Sequence, residues 1–308
     1  MGPRAGSSRP EIEKRTLTLN RLLFVHAHPD DETITTGGTI AKYLADGAEV
    51  TVVTCTLGEE GEVIGEQWSG LAADGGADQL GGYRISELTR ALAELSAPAA
   101  EALAPVFLGG AGRWRDSGMA GAPSNDHPRA FIGAGTVPAE VLAELICQTR
   151  PQVLVGYDPV GSYGHPDHIQ VHAICARAIE LAAASETRPW TVSKHYWTVT
   201  EESALADGLA SAQTRVPSGW RMPLAGELPS HPDAEVTTAI DVREVYDHKV
   251  RALAAHATQV TVSASGTEYA LSNNIIQPIF AEEHYILVSG VQGPTGPGGR
   301  EPDLFGGL

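Results

Sequence analysis

Two short peptides hold most of the side chains able to do chemistry. The first, Val25-His-Ala-His-Pro-Asp-Asp-Glu32, sets His28, Asp30, Asp31 and Glu32 almost side by side. The second, Tyr157-Asp-Pro-Val-Gly-Ser-Tyr-Gly-His-Pro-Asp-His168, contains Tyr163 and brings His165 and His168 to a spacing of three. Imidazole nitrogen and carboxylate oxygen are two of the usual zinc ligands. The same groups also serve as general acids and bases. Each peptide alone has a plainer explanation: Asp30 or Asp31 could cap a helix, and a lone histidine pair could be structural or solvated. Capping does not account for the histidines, and burying several such groups together requires a metal or mutual pairing.

The surrounding elements decide whether the two peptides meet. Apolar runs predict strands at 21–28, 49–56, 105–109 and 152–158, and amphipathic stretches predict helices at 33–47, 83–95, 138–150 and 167–184. This βαβαβαβα order, with strands that are continuously apolar, predicts an α/β fold: a Rossmann-like, mostly parallel sheet covered by helices, with a smaller C-terminal lobe. Both peptides follow strands, so they should face one crevice at the C-terminal sheet edge. The long connections 57–82 and 110–135 leave the same edge and suggest a substrate pocket. The expected organisation is a flexible N-terminal tail at 1–20, a Rossmann-like hydrolase core at 21–185, a C-terminal lobe or sheet extension at 186–290 and a flexible Gly/Pro-rich tail at 291–308.

Composition narrows the partners. The 308 residues carry 21 Lys plus Arg against 38 Asp plus Glu, a net charge of −17, and 42 % of them are hydrophobic. Such a chain can bury a core, but it repels nucleic-acid backbones and lacks a polybasic patch for anionic lipid, so neither nucleic acid nor membrane is an expected partner. With no long apolar run and no signal-like N-terminus, a cytoplasmic location is expected. Cys55, Cys147 and Cys175 are scattered and read as small buried hydrophobes. Oligomeric state does not follow from composition.

The two peptides, His-Ala-His-Pro-Asp-Asp-Glu and His-Pro-Asp-His, resemble the LmbE-like, or PIG-L, family of zinc-dependent N-deacetylases. The segments 55–68, 79–88, 107–121 and 248–260 are similar to its mycothiol-pathway branch. The resemblance implies one Zn²⁺ per subunit, Fe²⁺ being possible, on His28, Asp31 and His168, with Asp30 as general base and His165 and Tyr163 assisting at the carbonyl. It also implies that Arg84, Asp116 and Met119 bind substrate. The implied partner is a small amino-sugar inositol, N-acetylglucosaminyl-inositol, from which acetate would be released. A mycothiol S-conjugate amidase is the alternative within the family, and a non-catalytic sugar- or metal-binding protein the alternative outside it. A dinucleotide-binding oxidoreductase is disfavoured because the turn after the first strand has no G-x-G-x-x-G and carries adjacent acids. From the residues themselves, Arg84 could equally be a solvated helix arginine and Asp116 a turn residue. His26 could be core, His256 fits a packed helix face, and Glu59, Glu60 and Glu62 read as a solvated acidic loop. Trp68 and Trp114 could stack on a sugar or pack into the fold.

Overall fold

Leu22, Leu23, Phe24 and Val25 are all buried, so β1 (Arg21–His26) is apolar on both faces and belongs in the middle of a sheet. The computed structural model describes residues 19–308; the N-terminal tail expected at 1–20 lies outside them but for its last two residues. β1 pairs in parallel with β2 (Glu49–Thr54) on one side and β4 (Val153–Gly156) on the other. β3 (Val106–Phe107) continues the parallel sheet beyond β2, and β5 (Lys194–Val199) continues it beyond β4. β10 (Glu282–Ser289) and β6 (Thr238–Asp241) then add antiparallel strands, giving the order β3-β2-β1-β4-β5-β10-β6. The chain therefore departs from β1 in opposite directions toward β2 and β4. Such a switch point opens a crevice beyond the C-terminal strand ends.

Period-two alternation assigns the two layers. Leu22 and Phe24 pack with Ile40 and Leu44 of α1 (Asp31–Ala45), Leu88, Leu92 and Leu95 of α2 (Leu80–Ser96) and Ala252 of α7 (Tyr246–Ala255). Leu23 and Val25 pack on the other face with Leu142 and Ile146 of α3 (Val137–Thr149) and Val171 and Ile174 of α5 (Pro166–Ala183). A single turn, α4 (Gly161–Gly164), leads into α5, and α6 (Glu202–Ala212) follows β5. This is the helix-covered, mostly parallel α/β sheet that the apolar runs predict. Cys55 and Cys175 are buried and Cys147 is half-buried, all three as free thiols.

Two regions differ from expectation. Strands β7 (Thr261–Val262), β8 (Glu268–Ala270) and β9 (Gln277–Pro278) form a second, three-stranded sheet, and each is too short to display an alternating pattern. The segment expected as a flexible tail at 291–308 is instead packed. Glu301 is buried, where it accepts hydrogen bonds from Lys194 Nζ, from the Tyr196 hydroxyl at 2.8 Å and from Thr238 Oγ1 at 3.1 Å. Leu304 and Phe305 join the core beside Tyr43. One buried carboxylate and two apolar residues anchor a segment whose Gly and Pro content hides them. Glu301→Ala would leave Lys194 buried without its counter-charge, at a cost of about 3–5 kcal/mol. Urea unfolding should show a loss of that size; a loss near zero would mean that the pair does not anchor the segment.

Candidate metal centre and active site

The turn from β1 into α1 carries an unusual backbone. Asp30 has φ 114° and ψ −35°, a region that costs a non-glycine residue about 1–3 kcal/mol. Its N–H donates to Glu32 Oε2 at 3.0 Å, and its carbonyl accepts from Thr33 and Ile34 at 3.0 and 2.9 Å to start the helix. The Asp30 side chain makes no capping hydrogen bond. Asp31 turns its Oδ2 back to accept the His28 N–H at 2.9 Å. Neither carboxylate is consumed by capping the helix.

The β4–α5 connection delivers the second peptide to the same point. His168 Nε2 lies 3.3 Å from Asp31 Oδ2, and His28 Nδ1 lies 3.4 Å from that same oxygen. On its other side, His28 Nε2 is 3.2 Å from Asp167 Oδ2 and 3.4 Å from Asp116 Oδ1. His168 is buried, its ring stacked on Tyr157 with centroids 4.3 Å apart, yet among the described residues neither ring nitrogen makes a hydrogen bond, the approach of Nε2 to Asp31 being a charge contact only. Unpaired buried nitrogens are costly, and a cation bound there would relieve the cost. Ligand atoms of His28, His165 and His168 fall within 4.8 Å of one another, as do those of His28, Asp116 and Asp167. The donor set therefore suits a divalent metal.

The charges are mutually dependent. Burial opposes protonation of His28, but Asp116, Asp167 and Asp31 outweigh it and hold its pKa well above the ordinary value. Burial likewise opposes ionisation of Asp31, but His168 and His28 hold its carboxyl well below the usual range. Asp116 is also lowered, against its burial, by His28, the Gly118 N–H and His165. Asp30 is pushed up to about 7 by burial and by the charge of Asp31. His165 is driven down to about 3 by burial and by its neighbours His28 and His168. Its Nδ1 accepts the Asp167 N–H at 3.2 Å, so its proton resides on Nε2.

The two peptides thus meet as their spacing suggests, and their order along the chain can be compared with other proteins. Residues 23–179 match the family model described as GlcNAc-PI de-N-acetylase, PIG-L. This chain belongs to the PIG-L family. It is 58 % identical over 298 residues to the 1D-myo-inositol 2-acetamido-2-deoxy-alpha-D-glucopyranoside deacetylase of Rhodococcus erythropolis, covering 95 % of this chain and 99 % of that one. It is 61 % identical over 290 residues to the protein of the same name from Gordonia bronchialis, covering 93 % and 100 %. Among solved structures, the 4-carboxy-2-hydroxymuconate hydratase GalB of Pseudomonas putida KT2440 has a similar fold, with a TM-score of 0.56 at 17 % identity over 90 % of this chain and 99 % of that one. The N,N'-diacetylchitobiose deacetylase of Pyrococcus horikoshii scores 0.51 at 16 % identity, over 77 % and 69 %. A hydratase and a deacetylase share this fold, so the fold alone does not decide the chemistry.

Within this PIG-L-family site the remaining side chains take varied positions. Asp116 is buried, with Oδ1 3.4 Å from His28 Nε2 and 4.0 Å from His165 Nε2. Arg84, expected to meet substrate hydroxyls, is 4 % exposed. Its guanidinium donates to the Gly58 and Glu62 carbonyls, so it clamps the first long loop. Met119 and Tyr163 are both 52 % exposed, and the Tyr163 ring lies edge-on to His168 with centroids 5.0 Å apart. Glu59 is not solvated: it is buried and accepts the Asp116 N–H at 3.0 Å. Glu60 pairs with Arg115 at 2.7 Å, and Arg115 also holds Asp78, so the two long loops are cross-linked. Trp114 packs on Phe131, Trp68 lies against Tyr83, and His26 is core, bonded to Tyr157 and Thr36.

Sequence reasoning passed over Asp167, fully buried beside the His28 ring, although a carboxylate next to a histidine-rich peptide is a signal for an orienting partner. His168→Ala should reduce bound metal far below one per chain by elemental analysis. Asp167→Asn should weaken metal binding about 10–100-fold in a competitive chelator titration. Full occupancy at unchanged affinity in both variants would place the metal elsewhere.

Proposed function

We propose that this chain hydrolyses the acetamide of 1D-myo-inositol 2-acetamido-2-deoxy-α-D-glucopyranoside to acetate and the free amine. Near-complete, 58–61 % identical alignment with relatives bearing that deacetylase name carries the reading. The site chemistry agrees with it. His28, Asp31 and His168 would hold the metal, which we take to be zinc, and three protein ligands are what a catalytic zinc site provides. When bound, the metal supplies Lewis acidity and makes a nucleophile available from water near neutral pH.

Asp30 then has the role of base. Its carboxylate is free of capping bonds, and its environment holds it near the working pH, where proton transfer is most effective. It takes one proton as the water oxygen attacks the carbonyl carbon. His165 is neutral and presents Nε2–H, so it stabilises the developing oxyanion as a donor rather than as an imidazolium. Donating that only proton outright would leave an imidazolate. The proton held by Asp30 is therefore the one passed to the leaving nitrogen as the C–N bond breaks. Tyr163, at the rim, polarises the same carbonyl, and Met119 and Asp116 border the sugar. Among the described residues no helix is long and apolar enough to cross a membrane.

Amine release from N-acetylglucosaminyl-inositol should disappear on chelation and return with zinc. Asp30→Asn should lower kcat about 10²–10⁴-fold while retaining metal. No release by folded, metal-loaded wild-type protein would overturn the proposed reaction, and full turnover by the Asp30 variant would remove Asp30 from the role of base.

A further inference from the structure

The peptide His256-Ala-Thr-Gln259 takes no part in the chemistry above, yet it is buried throughout its polar side chains. His256 Nε2 is 2.9 Å from Glu32 Oε1, and both residues are fully buried. Thr33 Oγ1 donates to the same carboxylate oxygen. The other oxygen, Glu32 Oε2, accepts the Asp30 N–H at 3.0 Å. None of the three imidazoles of the metal centre is a hydrogen-bond partner of Glu32; its carboxylate is directed at the backbone of the strained residue and at His256.

His256 is itself fixed from behind. The Gln259 amide lies 3.4 Å from its Nδ1 and 3.4 Å from Glu87 Oε2, and Glu87 accepts the Thr258 N–H and hydroxyl at 2.8 and 2.7 Å. The Thr258 carbonyl accepts the Ile64 N–H at 2.8 Å, which joins the same knot to the first long loop. A positive φ at a non-glycine residue persists only where its surroundings over-determine it. Here the over-determining contact at the Asp30 N–H is a carboxylate that would otherwise be a buried, uncompensated charge, and His256 is its partner.

We propose that Glu32 and His256 are positioning residues: together they hold the Asp30 peptide at its positive φ and so aim the Asp30 carboxylate. The proposal rests on Asp30 being the base. Relaxation of that peptide would swing Cβ and move the carboxylate, and a displacement of about 1 Å can cost about 10²-fold in rate.

The test is a double-mutant cycle on kcat with Glu32→Gln and His256→Gln, each made in the wild-type chain and in Asp30→Asn. Each single variant should lose about 10²-fold in kcat with KM and metal per chain unchanged. In the Asp30→Asn chain, the same substitutions should change the residual kcat less than about twofold, because the group they aim is gone. The Asp30 amide should also exchange with solvent faster in Glu32→Gln than in wild type, a readout independent of turnover. Equal losses with and without Asp30 would make the pair general scaffolding and overturn the proposal, as would an unchanged kcat. If Glu32→Gln does not fold, the His256→Gln arm of the cycle decides by the same criterion. Full activity of Asp30→Asn by itself would instead overturn the assignment of the base, a result the cycle reports separately.

Discussion

Three carboxylates and three imidazoles converge in the dark interior of this protein, and their mutual neutralisation is the constraint on which the rest of the structure depends. Asp31, Asp116 and Asp167 surround His28, while His165 and His168 close the cluster. Ions removed from water are tolerated only when paired, hydrogen-bonded or metal-bound. Asp116, Asp167 and Asp31 raise the pKa of His28 against its burial, and neither buried nitrogen of His168 makes a hydrogen bond among the described residues. The parallel sheet makes this convergence possible, because β1 and β4 are adjacent and end at the same edge.

The long loops complete the site and bring Asp116 beside His28. Arg84 clamps the first loop through carbonyl groups, and Arg115 ties Glu60 on that loop to its own, with Asp78 on the far side. Two further bonds cross the same seam: Glu59 Oε2 accepts the Asp116 N–H, and Asp116 Oδ2 accepts the Glu60 N–H. Charges that look like solvated loop composition are therefore internal fastenings. They pre-organise the walls around the metal centre, the condition under which electrostatic stabilisation is most effective.

The sheet and the central site were legible in the sequence because their signals are local. Continuous apolar runs mark β1, β2 and β4, and the histidine- and aspartate-bearing peptides directly follow β1 and β4. What was hidden depends on partners far apart in the chain. Glu32 meets His256 across 224 positions, and Lys194 meets Glu301 across 107; no periodicity announces either pair. Arg84 reads as a substrate-binding or a solvated helix residue until the loop folds over it. The short strands β7 to β9 contain too few residues to carry an alternating pattern. Resemblance supplied the proposed metal ligands, while the use of Glu32 to fix the Asp30 backbone became visible only in three dimensions.

His28 offers a metal two faces: Nδ1 toward Asp31, whose Oδ2 also neighbours His168, or Nε2 toward Asp116 and Asp167. In the proposed function the metal takes the first, and Asp167 would orient the ring through the second. Anomalous diffraction at the zinc edge from crystals of the metal-loaded protein tests that choice directly. A single peak bonded to His28 Nδ1, Asp31 and His168 is the predicted result. A peak bonded to His28 Nε2, Asp116 and Asp167, with His168 left unligated, would contradict it.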